Sequence, residues 1–125
     1  MALAYWCVLV AALLPLAWVA YAKSGGEVGN RYPRGKLDRL PQAKARAYAA
    51  HLNAYENFPF FAAAVIVALT QGASVATVNL LAVLYVALRV IHGLLYIADR
   101  ATPRSAVYAL ALFVNIAIFV LPAFR

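Results

Sequence analysis

Two short runs in this 125-residue chain concentrate side chains able to hold an anion or tune a nucleophile. The first carries Asn53, Glu56 and Asn57, with Arg46 two turns earlier. Residues three and four apart share a helical face, so on a helix Asn53 projects beside Glu56 and Asn57. The second run carries Tyr85, Arg89, His92 and Tyr96. Its spacing of four, three and four makes one continuous helical stripe. Guanidinium groups bind carboxylates through paired N–H donors, and a carboxylate such as Glu56 accepts from an ammonium group. Two readings of these runs stay open. One is a structural Glu56–Arg89 ion pair with His92 and the tyrosines as interfacial anchors. The other is a polar cavity for an amphipathic ligand whose charged end faces the basic side of the protein.

The elements that must position these groups are membrane helices. The chain is 66% hydrophobic and 12% charged, more apolar surface than so short a soluble domain can bury. A span needs about 20 apolar residues, which predicts an all-α integral membrane protein, a four-transmembrane-helix bundle in a single domain over residues 1–125. Its helices are expected at residues 2–22, 42–70, 75–98 and 105–124. The N-terminal run has no basic leader and reads as a retained first helix. Pro15 within it is tolerable in a membrane span.

The formal charge of +7 does not point to nucleic acid. Lys23, Arg31, Arg34, Lys36 and Arg39 crowd the first loop against Glu27 and Asp38. Arg100 and Arg104 follow helix three, and the turn after helix two has no charge. By the positive-inside rule the first and third loops face the cytoplasm and both termini lie outside it. That arrangement suits a bacterial inner membrane. Cys7 stands alone, so no intrachain disulfide is possible, and nothing in the pattern calls for a metal.

Depth brings the two runs together. At about 1.5 Å per residue, Glu56 sits roughly 21 Å from Thr70, and Arg89 roughly 21 Å from Val75. An arginine within a span costs about 2.5–3.5 kcal/mol and turns toward protein or water. Glu56 and Arg89 are therefore placed to pair, within a chain or between chains. Tyr5, Trp6, Trp18 and Tyr21 read as aromatic belts, and His51 as a solvated boundary residue. Asn115, with Tyr108 a heptad earlier, reads as interhelical glue.

The run Arg46 to Phe61, RAYAAHLNAYENFPFF, resembles the second-helix signature of the MAPEG family, membrane-associated proteins of eicosanoid and glutathione metabolism. Asn53 and Glu56 match its Asn-x-x-Glu spacing, and Pro59 its following proline. Arg89, His92 and Tyr96 resemble the Arg-x-x-His-x-x-x-Tyr pattern of microsomal glutathione transferases and microsomal prostaglandin E synthase. Arg100 and Arg104 resemble the basic pair that follows. The resemblance implies a homotrimer with glutathione as co-substrate, held between neighbouring subunits and lined by Arg46, Asn53, Glu56, Arg89, His92, Tyr96 and Arg100. It also implies an arginine that stabilises the thiolate, and Arg104 is the candidate. Family enzymes commonly have an arginine four residues before the motif asparagine. Ala49 stands there instead, and Arg46, a turn earlier, is the candidate substitute.

The expected activity is a membrane-bound glutathione transferase or peroxidase acting on a lipophilic electrophile that partitions into membrane lipid. The alternative is a non-catalytic member of the same fold that binds a lipophilic ligand. A small multidrug-type exporter is disfavoured, because that family depends on a carboxylate in its first helix and this chain has none there.

Overall fold

In lipid, only internal hydrogen bonds can satisfy the backbone, and the apolar stretches fold accordingly. The computed structural model describes residues 1–25 and 40–124. It contains α1 (Leu3–Lys23), α2 (Gln42–Thr70), α3 (Val75–Ile97) and α4 (Ala101–Val120), with a 3₁₀ turn at Leu121–Phe124. All four helices are long and apolar enough to cross a membrane. Arg31, Arg34, Lys36 and Arg39, with Glu27 and Asp38, lie outside the described residues. At 29 residues, α2 extends about 43 Å, so its more polar first half projects beyond a hydrocarbon core of about 30 Å.

Helix four starts four residues earlier than expected. Pro103 reads in the sequence as a boundary, but it sits in the first turn of α4, where an N–H has no partner within the helix and its loss is harmless. Arg104 is therefore not a loop residue. It is fixed to a rigid helical turn, its N–H donating to the Arg100 carbonyl at 3.0 Å.

Two tight turns flank α3, and each is closed by one left-handed residue. After α2, Gly72 has φ 84°, and Ala73 donates to the Ala68 carbonyl at 2.9 Å while Gly72 donates to Leu69 at 3.3 Å. After α3, Asp99 has φ 60°, with Arg100 donating to Leu95 at 3.0 Å and Asp99 to Tyr96 at 3.2 Å. Both are Schellman closures.

The most extensive helix pairs are α1 with α2 and α3 with α4, while α2 also meets α3 and α4. Buried alanines, among them Ala47, Ala50, Ala54, Ala64, Ala68, Ala82 and Ala111, let the backbones approach, as packing within a membrane favours. Phe61 stacks on Tyr85 with ring centroids 4.1 Å apart. Asn79 of α3 accepts from the Ala4 N–H at 2.9 Å, satisfying a donor at the start of α1. Leu80 and Phe113 are each 70% exposed, facing outward where lipid covers them.

Two expectations about α1 and α2 need correction. Trp18 is buried, not a belt residue. Its indole lies against Gly93, where a Cβ would overlap the ring. His51 is half-buried rather than solvated, and its Nδ1 lies 2.8 Å from the Pro15 carbonyl. Neither partner is visible from local spacing, because both lie on another helix.

Candidate functional site

The stripe on α3 turns inward as its period requires. Tyr85, Arg89 and His92 are all buried, and Tyr96 is half-buried near the helix end. Tyr85 is taken up by its stack on Phe61, which leaves Arg89, His92 and Tyr96 for polar work. From α2, Asn53 meets this stripe. Its Oδ1 accepts from the Arg89 guanidinium at 2.6 Å. The Asn57 amide nitrogen donates to the Asn53 carbonyl at 2.8 Å and lies 3.3 Å from Asn53 Oδ1. The Tyr108 hydroxyl of α4 donates to Asn57 Oδ1 at 3.3 Å. Three helices are thus tied together by one polar chain.

Above that chain lies a hollow of about 240 Å³ lined by Asn53, His92, Tyr96, Arg104, Ser105 and Tyr108. Arg104 stacks over the Tyr96 ring, 4.3 Å from its centroid, well within the range of a cation–π contact. The His92 ring lies 5.8 Å from that of Tyr96 and 5.8 Å from that of Tyr108. Its buried Nδ1 has no hydrogen-bond partner among the described residues. Arg89 is outside the hollow's lining, its Cζ 6.0 Å from the Tyr108 centroid, and it touches that lining through its bond to Asn53.

The Glu56–Arg89 pair expected within a chain does not form. Arg89 bonds Asn53 instead, and Glu56 is exposed on the single chain. Matched depth brought the two residues to one level without fixing the rotation of α2, and that rotation turns Asn53 inward and Glu56 outward. Arg46 and Arg100 also lie outside the hollow's lining. Arg46 donates through Nε to the Ile97 carbonyl at 3.0 Å, and Arg100 is exposed in the turn. Asn53, His92, Tyr96 and Arg104 are the predicted residues that converge.

Tyr108 and Ser105 line the hollow without having been singled out for it. Both follow from starting α4 at Ala101, since Tyr108 is then one turn beyond Arg104 on the same face. Tyr108 does act as interhelical glue, through Asn57. Asn115 is buried with its Oδ1 unpartnered among the described residues. A second cleft, of about 410 Å³, lies between α1 and α2 and is lined by Leu16, Val19, Lys23, Tyr48, His51, Leu52 and Tyr55. At about 100° per residue, its α2 residues lie on the side away from Asn53. Among the described residues, no three His, Cys, Asp or Glu side chains gather where they could hold a metal ion.

A helix-three stripe locked to an α2 asparagine, in a four-helix membrane bundle, agrees with the comparison to known families, in which residues 3–124 match the MAPEG family. The chain belongs to the MAPEG family. Membership makes it an integral, multi-pass membrane protein of eicosanoid and glutathione metabolism. No curated protein and no solved structure matches it. Within the MAPEG bundle the hollow opens among α2, α3 and α4, at the end where α3 turns into α4.

Proposed function

We propose that this protein is a glutathione-dependent transferase or peroxidase acting on lipophilic electrophiles dissolved in the bilayer. The observation that carries the reading is the convergence of Arg104, Tyr96, His92 and Asn53 on one hollow, with Arg89 fastened behind Asn53. A free thiol has a pKa of about 8.5, and a neighbouring guanidinium favours the anion, which is the nucleophile. Arg104, held by its helical turn and by the Tyr96 ring, is the group we assign to the thiolate. The sulfur attacks an electrophilic carbon, a C–S bond forms, and the leaving group departs with its electron pair. Asn53, His92 and Tyr108 supply polar contacts to the tripeptide backbone, and Arg100, exposed in the α3–α4 turn, attracts its carboxylates over a longer range.

We further propose that the site is completed in a homotrimer. One chain's hollow of about 240 Å³ is smaller than the roughly 300–1,000 Å³ usual for ligand pockets. Glu56 stands exposed on α2, three residues from Asn53, and a carboxylate facing lipid is costly. The α1–α2 cleft, with Lys23 and His51, is a complementary face by which a neighbouring copy closes the hollow. A ring of such unlike faces closes on itself. We place the protein in a bacterial inner membrane with both termini outside the cytoplasm.

A second reading is a non-catalytic member that binds a lipophilic ligand, and Ala49 favours it because the usual arginine is missing there. Purified protein in nanodiscs separates the two. Glutathione binding by calorimetry and conjugation of 1-chloro-2,4-dinitrobenzene are expected. Binding of a lipophilic compound with neither result would leave only the second reading.

A further inference from the structure

The last carbonyls of α3 are accounted for one by one. Leu94 accepts from Ala98 at 2.9 Å, Leu95 from Arg100 at 3.0 Å and Tyr96 from Asp99 at 3.2 Å. The turn reaches no further, and Ile97 is met instead from α2, by the Nε of Arg46 at 3.0 Å. Among the described residues, this is the one closure of the α3 end that depends on another helix. It brings a cation to the negative end of the helix dipole. Ile97 and Tyr96 pack beside Trp18, Ala50 and Ala54. Tyr96 in turn carries the Arg104 guanidinium on its ring.

From this we infer that Arg46 is a positioning residue: by holding the Ile97 carbonyl it sets the α3–α4 turn, and through Tyr96 the placement of Arg104 in the hollow. The inference rests on the transferase reading for its effect on turnover, but the link from Arg46 to the turn stands on geometry alone. The relevant donor is Nε, the atom nearest the stem, so a neutral amide can replace it. The side-chain nitrogen of glutamine occupies the same place along the chain as Nε of arginine, with a donor and no charge.

The test compares Arg46→Gln with Arg46→Met, which keeps an unbranched stem and has no donor. Hydrogen exchange of residues 94–104 in nanodiscs needs no ligand. Arg46→Met is expected to raise exchange there about tenfold, the scale of losing one hydrogen bond, and Arg46→Gln to leave it near wild type. In the conjugation assay, Arg46→Met is expected to lower kcat roughly tenfold to a hundredfold, as small misplacements do, with glutathione affinity within about threefold of wild type. Arg46→Gln restores kcat. If both variants lose affinity for glutathione alike, Arg46 contacts the ligand through its charge and the inference is wrong. Unchanged exchange in Arg46→Met overturns it as well. If the wild-type protein binds no glutathione, the transferase reading fails while the exchange comparison still decides whether Arg46 sets the turn.

Discussion

The two ends of α3 are built from the same turn and used differently. At the Val75 end, Gly72 adopts the left-handed conformation and the neutral Ser74 side chain accepts from Thr77 N–H at 3.4 Å. Close by, Asn79 accepts from the Ala4 N–H of α1 at 2.9 Å. At the Ile97 end the same backbone closure is made with Asp99, a residue that tolerates positive φ less easily than glycine. Here the turn is joined by Arg46 from α2, and it delivers Arg104 to the Tyr96 ring. One end only reverses the chain, whereas the other reverses it and aims a guanidinium. The lesson is that both ends of this helix are tied to another helix, the Val75 end by the neutral Ala4–Asn79 contact and the Ile97 end, beside the hollow, by a cation.

The largest effect expected is at Arg104. Arg104→Ala should lower conjugation about 100- to 1,000-fold, the scale of losing one charge-stabilising group, with modest loss of glutathione binding. Its rate–pH profile should move to higher pH, because without the cation the bound thiol ionises less readily. Wild-type turnover in this variant would end the contrast between the two ends of α3. Next is the Asn53–Arg89 bond. Asn53→Ala strands a buried cation and should destabilise the bundle by about 2–3 kcal/mol, read from unfolding in mixed micelles. Adding Arg89→Met should recover most of that loss, since the pair fares better removed together than broken. Additive losses would show that the two side chains are not coupled.

Gly93→Ala should destabilise by about 1–3 kcal/mol, because the new methyl overlaps Trp18 and the helices must part. The mildest pair sharpens the comparison directly. Gly72→Ala should cost about 1 kcal/mol and leave the activity of the folded protein unchanged. Asp99→Gly should gain several tenths of a kcal/mol for relieving the left-handed residue. If Gly72→Ala lowers turnover at constant fold, the quiet end is not quiet.

Much of this architecture is legible along the chain. Twenty-odd apolar residues interrupted by glycine, proline and charge mark the four helices, and α2 is found at Gln42–Thr70 as the pattern indicates. The spacing of Tyr85, Arg89, His92 and Tyr96 identifies the inward face of α3. Periodicity fails where a choice lies between helices. Asn53 and Glu56 are three residues apart and equally able to meet Arg89, and only the rotation of α2 in the bundle decides for Asn53. Trp18 has the composition of a belt residue, yet Gly93, seventy-five positions later, opens the space that buries it. Pro103 marks a break or a beginning with equal ease, so the start of α4, and with it Tyr108 as a lining residue, depends on the turn made by Asp99.

The bond from Arg89 to Asn53 also bears on how the chain enters its membrane. Helix α3 leaving the translocon by itself would present a bare guanidinium to hydrocarbon. With α2 already beside it, joined through only residues 71–74, the cation is sheltered by Asn53. The hairpin of α2 and α3, rather than α3 alone, is therefore the smallest piece of this bundle in which the Arg89 guanidinium has its partner.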